Sequence, residues 1–167
     1  MPKKFAKMSM MAVTTTSGAI CLPTKMEDEV TKFGISRKVA DFTGPITMSM
    51  KSCGAAQCYV AAIFFMAQST GIQMTPYQMG MAILLSCLMC LGTISVPGGS
   101  VIVYTFLATS LGLPLESIAV LIGIDWFAGM FRTLMNVDVD VMIGLLVASK
   151  LGELDRDVYD EKKTVTF

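Results

Sequence analysis

A long apolar segment near the C-terminus, residues 117–150, is interrupted by polar side chains at spacings of seven, four and four residues. An α-helix turns by about 100° per residue, so these positions and Gly129 fall within one wedge of about 80°. Ionisable groups in a helix of membrane length cost several kcal/mol unless they meet partners or water. The stripe therefore predicts a helix face that lines a path for a solute or an ion, the alternative being a buried ion pair that only joins helices. The four polar residues are Asp125, Arg132, Asn136 and Asp140.

The composition is that of a membrane protein. Hydrophobic residues make up 53% of the 167 residues and charged residues 16%, with 15 methionines, which exceeds the apolar usage of ordinary soluble domains. The formal net charge is +0 and the chain has no histidine, so we expect no nucleic-acid partner and no histidine-based metal site or proton relay. The sequence pairs no nucleophile with a base and contains no phosphate-binding loop, so we do not expect an enzyme.

The five cysteines lie mostly within apolar runs. Cys87 and Cys90 have a CxxC spacing, but a helical apolar pattern surrounds them, which favours packing over a redox or metal role. The other three cysteines are Cys21, Cys53 and Cys58.

Two regions of the chain read as paired halves, each half shorter than the roughly 20 residues that a membrane span needs. Residues 77–93 and 100–113 flank a turn that contains Pro97, and residues 2–20 and 25–34 flank a turn predicted at 21–24. A chain that enters the bilayer, turns there and leaves by the same side is expected to give this pattern. Irregular backbone at membrane depth is tolerated only where protein covers it or where it lines a watery cavity, so both turns point to one shared site.

A third irregularity is predicted at residues 43–45 and 49–54, ahead of another apolar helix. Lys51 is the unusual residue there, because an ammonium group within an apolar segment needs compensation. It can extend to the membrane surface, pair with a carboxylate such as Asp140 or Asp125, or occupy a cation position outright.

Basic residues mark the ends of the first segment. Under the positive-inside rule they favour a cytoplasmic position. The tail after residue 152 mixes acidic and basic residues, so we expect it to be soluble and frayed. The basic residues concerned are Lys3, Lys4, Lys7, Lys25, Lys32, Arg37 and Lys38.

In this order of elements the chain resembles the C-terminal half of the dicarboxylate/amino acid:cation symporter family, the glutamate-transporter homologues. The resemblance covers residues 3–153. Its most specific pieces are Gly123-Ile124-Asp125, Arg132-Thr133-Leu134-Met135-Asn136-Val137 with Asp140, Gly92-Thr93 before Val96-Pro97-Gly98, and Thr14-Thr15-Thr16-Ser17-Gly18-Ala19.

The resemblance implies an all-α membrane protein with two re-entrant helical hairpins and two interrupted transmembrane helices. It also implies a multi-pass position in the plasma membrane. The implied parts are a transport core at 1–152, made of a hairpin at 1–36, a broken helix at 37–70, a hairpin at 76–113 and a polar-striped helix at 115–150, and then a soluble tail at 153–167.

The resemblance also implies roles for individual residues. Arg132 matches the arginine that binds the distal carboxylate of the solute, for which a planar guanidinium is well suited. Asn136 and Asp140 match ligands of a sodium site. The implied solute-binding residues are Ser17, Gly18, Ala19, Cys53, Val96, Gly98, Gly129, Arg132, Thr133 and Asn136. The implied cation-binding residues are Ser49, Lys51, Thr93, Asn136 and Asp140.

Three departures from the family pattern bear on the solute and the coupling ion. Gly129 stands where amino-acid carriers have an aspartate for the α-ammonium group, and Cys53 replaces a threonine that helps hold that group. These changes favour a C4-dicarboxylate over an amino acid, because a buried ammonium without a partner is costly. Lys51 replaces an aspartate of a further sodium site, which predicts fewer coupled sodium ions, a proton or exchange mechanism, or a site that no longer transports.

Members of this family have six further spanning helices before the first hairpin. We therefore expect this chain to be a fragment or one subunit of a split carrier. Its expected partners are a carboxylate solute, lipid, and a missing scaffold half or a full-length relative, assembled as a trimer. Sodium ions or protons are the expected coupling ions, with no other cofactor. The alternative is a truncated half that does not transport and regulates a full-length relative.

Overall fold

The computed structural model describes residues 2–92 and 99–167. Helices joined by turns and short irregular segments make up this part of the chain, and one isolated antiparallel bridge links Ile35 and Leu154. A 3₁₀ turn at Leu115–Ser117 precedes the longest helix. The helices are α1 (Pro2–Thr15), α2 (Gly18–Thr31), α3 (Arg37–Met50), α4 (Cys53–Ser69), α5 (Pro76–Gly92), α6 (Gly99–Leu111), α7 (Ile118–Leu151) and α8 (Arg156–Tyr159).

Helices α1 and α2 form a tight helical hairpin. The rings of Phe5 and Phe33 meet at 4.8 Å, which brings the start of α1 beside the end of α2. The turn lies at Thr16, whose φ of 50° is left-handed, and the adjoining residue 17. The turn predicted at 21–24 is therefore wrong. Pro23 lies inside α2, where it removes only one backbone hydrogen bond from a helix held by its neighbours.

Helices α3 and α4 follow one another with a break at residues 51 and 52. The break falls within the stretch 49–54. The other part of this predicted irregularity, at residues 43–45, is wrong. Helix α3 continues through Pro45, which removes only a single amide donor from the helix. The threonine hydroxyls of α3 also bond back along the helix: Thr43 donates to the carbonyl of Val39 at 2.8 Å.

Helix α7 runs for 34 residues without a break. The expectation of a second interrupted membrane helix is therefore wrong for this segment. The polar stripe is formed by side chains, and the backbone of α7 stays helical at every one of these residues. The predicted turn between α5 and α6, with Pro97, lies outside the described residues.

The buried apolar side chains form two clusters that share α7. One joins α4, α5 and α6 to the first part of α7, and includes Tyr59, Leu107 and Leu121. The other joins α1, α2 and α3 to the last part of α7, and includes Met8 and Val141. The middle of α7 therefore lies where the two clusters meet, next to the break between α3 and α4.

The outer surface is apolar and the polar stripe faces inward. Ile102 is 74% exposed, Phe127 64% and Trp126 56%, whereas Asp125 and Asp140 are buried. The helical regions 37–69 and 115–151 are long and apolar enough to cross a membrane. Exposed apolar faces of this size are costly in water and ordinary in lipid.

The first part of the tail is docked on the α1–α2 hairpin. The amide of Ser36 donates to the carbonyl of Glu153 at 3.0 Å, and the amide of Asp155 donates to that of Gly34 at 2.8 Å. Val158 is only 3% exposed, and the Lys4 ammonium lies 4.9 Å from the ring centroid of Tyr159. The prediction of a frayed tail is therefore wrong for residues 153–159, because paired backbone groups and a buried valine hold this segment.

Substituting Gly34 tests this docking. Gly34 has a φ of 70°, and a Cβ there would collide with the carbonyl of Asp155. We expect Gly34→Ala to lower the free energy of unfolding and to release the tail, measured by thermal unfolding and by protease cleavage near Arg156. Gly71→Ala is the matched control, because Gly71 also has a φ of 70° but nothing near its Cβ position.

The free energy of unfolding of Gly71→Ala should fall by about 1–2 kcal/mol, the cost of the left-handed backbone strain alone. That of Gly34→Ala should fall by about 1 kcal/mol more, because of the collision. The tail can detach, which limits the loss at Gly34. Equal losses for the two variants, with the tail still protected from protease, would contradict the docking.

Candidate functional site

The centre of the polar stripe is a buried cluster of one carboxylate and two ammonium groups. The Asp140 Oδ2 lies 3.0 Å from the Lys25 Nζ, and its Oδ1 lies 3.2 Å from the Lys51 Nζ. The side chain of Asp140 is 4% exposed, that of Lys25 2% and that of Lys51 19%. Such a cluster needs further hydrogen bonds, because the Asp140 carboxylate alone does not neutralise two buried cations. The carboxyl group of Glu29, one turn from Lys25 on α2, is also buried and has no hydrogen-bond partner among the described residues.

Backbone and hydroxyl oxygens supply these bonds. The Lys25 ammonium donates to the carbonyl of Gly44 at 3.0 Å and to the Thr47 hydroxyl at 3.2 Å. The Lys51 ammonium donates to the carbonyl of Asn136 at 2.9 Å. The cluster therefore joins α2, α3 and α7 at the break between α3 and α4.

Lys25 is the residue that sequence reasoning missed. The expectation that it marks a cytoplasmic segment end is wrong, because it is 1% exposed and paired with a carboxylate 115 positions away. A signal was present in the helical spacing. Cys21, Lys25 and Glu29 recur every four residues and are all buried on one face of α2.

The oxygens that the family resemblance assigns to sodium do not fit a free ion in this structure. Both carboxylate oxygens of Asp140 and the carbonyl of Asn136 already accept hydrogen bonds from ammonium groups. A hard cation at these oxygens would have to displace an ammonium or lie beside one, at a strong electrostatic cost.

Asn136 connects the cluster to α4. Its side-chain Oδ1 accepts a hydrogen bond from the amide of Gly54 at 2.8 Å. Cys53, the first residue of α4, lies next to Gly54 and is half-buried. The structure does not bring Ser49 into the cluster, because its side chain is exposed and donates to the carbonyl of Pro45 at 2.9 Å.

Arg132 lies one helical turn from Asn136, and its guanidinium is mostly buried. Its side chain is 12% exposed, and its Nη1 lies 3.7 Å from the Asp125 Oδ1, too far for a hydrogen bond. That carboxylate oxygen is occupied instead by the hydroxyls of Ser100 at 2.5 Å and Tyr104 at 3.2 Å. Among the described residues, the buried Nη1 of Arg132 has no hydrogen-bond partner.

The tip of the α1–α2 hairpin reaches the same place. A Cβ at Gly129 would lie 3.5 Å from the Arg132 Nη2 and 3.8 Å from the Cβ of Thr16. The Thr16 hydroxyl is buried and has no hydrogen-bond partner in the described part of the chain. Of the predicted tip residues, Ser17 is buried, Gly18 half-buried and Ala19 exposed.

The remaining predicted residues fall into two groups. Thr133 is buried on α7, 6% exposed. The other predicted site residues, Thr93, Val96 and Gly98, lie outside the described residues. The arrangement therefore gives α7 an arginine whose buried Nη1 has no hydrogen-bond acceptor among the described residues, and a buried guanidinium of this kind is suited to hold a carboxylate. One turn further along α7, the carbonyl of Asn136 accepts from the Lys51 ammonium, which comes from the break between α3 and α4.

Comparison with known proteins identifies relatives among membrane carriers. An L-cystine uptake protein of Bacillus thuringiensis is 29% identical over 167 residues, which cover 98% of this chain and 36% of the relative. An excitatory amino acid transporter of Caenorhabditis elegans is 26% identical over 155 residues, 93% of this chain and 31% of the relative. A proton/glutamate-aspartate symporter of Bacillus subtilis is 32% identical over 128 residues, 77% of this chain and 31% of the relative.

The chain thus spans about a third of the length of these relatives. The names of these relatives describe carriers, an uptake protein and a symporter among them, rather than enzymes. The sequence profile of the sodium:dicarboxylate symporter family matches residues 1–150 of the 167 residues, and the chain belongs to that family.

Proposed function

We propose that the chain is the solute-binding core of a cation-coupled membrane carrier for a small carboxylate, a C4-dicarboxylate in preference to an amino acid. The coupling cation is sodium or a proton. A scaffold supplied by another part of the carrier or by a full-length relative completes the moving assembly, a trimer in the plasma membrane.

The observation that carries this proposal is the state of Arg132. A buried guanidinium nitrogen without a hydrogen-bond acceptor costs free energy, and its neighbour Asp125 is already bonded to two hydroxyls. The unpartnered hydroxyl of Thr16 lies beside the same Gly129 position. A bound carboxylate would accept from both groups and relieve both costs.

Helix lengths support two re-entrant hairpins. Helices α1 and α2 have 14 residues each, α5 has 17 and α6 has 13. Each is shorter than the roughly 20 residues that cross a bilayer. We infer that both hairpins enter the membrane and return to the same side.

Gly129 supports the choice of solute. Its Cβ position lies 3.5 Å from the Arg132 Nη2, so a carboxylate side chain there would be a counter-charge for the α-ammonium group of an amino acid bound to Arg132. The glycine offers no such counter-charge, and burying an unpaired ammonium costs several kcal/mol. The relatives are named for amino acids, cystine, glutamate and aspartate, so the preference for a dicarboxylate is a difference proposed for this chain.

Arg132→Lys tests the proposed site. Lysine keeps the charge and loses the two-pronged donor geometry, so we expect the affinity of the full chain for radiolabelled succinate to fall at least about tenfold. Equilibrium binding to purified protein in detergent measures it. Arg37→Lys is the control, because the side chain of Arg37 is 64% exposed and its contacts with Asp41 and the Phe167 ring lie on the surface.

Two results of this experiment would count against the proposal. Unchanged succinate binding by Arg132→Lys would remove the arginine from the site. Tighter binding of L-aspartate than of succinate by the unaltered chain would contradict the inference from Gly129.

A non-transporting membrane subunit is the second candidate, favoured by the ammonium groups that fill the Asp140 cluster. Such a subunit would co-purify with a full-length relative and bind neither succinate nor aspartate. Saturable succinate binding by the chain would exclude this candidate.

A further inference from the structure

Lys51 is held in place by hydrogen bonds from its backbone amide as well as from its ammonium group. It is the first residue of the break between α3 and α4, with extended backbone angles, and its amide donates to the carbonyl of Thr47 at 3.0 Å. From this anchored position its ammonium bridges the carbonyl of Asn136 and the Asp140 Oδ1. A carbonyl and a carboxylate oxygen are the ligands that a hard monovalent cation prefers.

The second ammonium group occupies the remaining oxygens of the cluster. The Lys25 Nζ donates to the Asp140 Oδ2, the Gly44 carbonyl and the Thr47 hydroxyl, and the Lys25 side chain is almost fully buried. Asp140 therefore already faces two positive charges. A third cation at the same carboxylate would be repelled by both at short range in a site that is poorly screened.

We propose that Lys51 is a tethered replacement for a bound sodium ion, and that no sodium ion binds between Asn136 and Asp140 in this chain. One consequence rests on the proposed function. If Arg132 binds the carboxylate solute, the helices around that site are held in place by Lys51 and not by a sodium ion. Arg132 and Asn136 are one turn apart on α7, and the Asn136 side chain also holds the first turn of α4. The ammonium thus keeps α3, α4 and α7 together beside the solute site permanently.

This role differs from that of a simple structural ion pair. A structural pair would lose stability when Lys51 is neutralised, and sodium would not restore it. If Lys51 is a tethered cation, neutralising it leaves the Asn136 carbonyl and the Asp140 carboxylate without their positive charge. A free sodium ion can then bind to these oxygens.

The test compares the number of sodium ions bound by the full chain and by Lys51→Met, measured with ²²Na⁺ by equilibrium dialysis in detergent. Methionine keeps the length and the apolar stem of lysine without the charge. We expect Lys51→Met to bind one more sodium ion per chain than the unaltered protein, and sodium, but not choline, to raise its unfolding temperature. Lys7→Met is the control, because Lys7 is exposed and pairs with Glu27 on the surface.

Lys51→Gln is a second variant in case the methionine variant does not fold, since its amide can still donate to the Asn136 carbonyl. An equal sodium count in the neutral variant and the unaltered chain would overturn the proposal, whatever the solute result. The proposal would also be overturned if the unaltered chain bound a sodium ion that was lost in Asp140→Glu.

Solute binding separates this proposal from the proposed function. We expect the ratio of succinate affinities in sodium chloride and choline chloride, at equal ionic strength, to be at least tenfold larger for Lys51→Met than for the unaltered chain. An equal ratio in the two proteins would overturn the tethered cation alone. Failure of the unaltered chain to bind succinate or aspartate in either salt would contradict the proposed function, while the sodium count still tests Lys51.

Discussion

Asp140→Asn is expected to lower the free energy of unfolding by about 3–5 kcal/mol, the usual cost of removing one partner from a buried ion cluster. The substitution leaves the ammonium groups of Lys25 and Lys51 without their shared carboxylate in a site where neither reaches bulk water freely. The neutral amide of asparagine can accept a hydrogen bond from one of them but cancels no charge. Thermal unfolding of the purified chain in detergent measures the loss.

A control for this prediction lies on the same helix. Asp138 is half-buried, and its carboxylate accepts a hydrogen bond from the Ser9 hydroxyl at 3.0 Å. We expect Asp138→Asn to cost about 1 kcal/mol, the value of one hydrogen bond. Equal losses for Asp138→Asn and Asp140→Asn would contradict the buried cluster.

A combined variant separates lost charge balance from lost packing. Replacing Lys25, Lys51 and Glu29 with methionine and Asp140 with leucine removes the paired charges and the buried Glu29 carboxyl, which would otherwise lose the neighbouring Lys25 ammonium, and keeps similar volumes. Replacement of a whole buried ion cluster by apolar residues is often neutral or stabilising, so this fourfold variant should recover most of the stability that Asp140→Asn loses.

Much of the helical organisation could be predicted because membrane-length apolar patterns are explicit in the sequence. The stripe of Asp125, Arg132, Asn136 and Asp140 faces inward along one continuous helix. The proline-based turns were predicted less well. Pro23 and Pro45 both lie inside helices, because a helix packed on several sides tolerates the loss of one amide donor, whereas the real turn at Thr16 carries no proline signal.

The candidate site could be predicted only where chemistry repeats at helical spacing. Pairing of Lys51 with Asp140 was one of three alternatives, and the structure shows that pair at 3.2 Å. Lys25 was misplaced because a lysine in a short segment looks like a membrane-surface residue, and its partner lies 115 positions away. Pairings over such distances depend on how α2 packs against α7, which local sequence does not specify.

The close approach of α4 to α7 at Gly54 leads to the second large effect. A Cβ at Gly54 would lie 2.6 Å from the carbonyl oxygen of Arg132 and 3.1 Å from the Asn136 Oδ1. The first of these is a backbone atom of a long packed helix, so it cannot move aside alone. We expect Gly54→Ala to lower the free energy of unfolding by about 3 kcal/mol, the upper end of the range for overpacking, measured by thermal unfolding.

Gly54→Ala should also weaken succinate binding, since separating the helices breaks the hydrogen bond between the Gly54 amide and Asn136 and shifts the turn that carries Arg132. Gly80→Ala is the matched control: Gly80 is inside α5 and has nothing within 4 Å of its Cβ position. Alanine there should stabilise the helix by about 0.5–1 kcal/mol, because it removes the entropic cost of glycine. The same substitution thus has opposite signs at two helical glycines, and stabilisation at Gly54 would mean that α4 and α7 do not meet where Arg132 and Asn136 face the site.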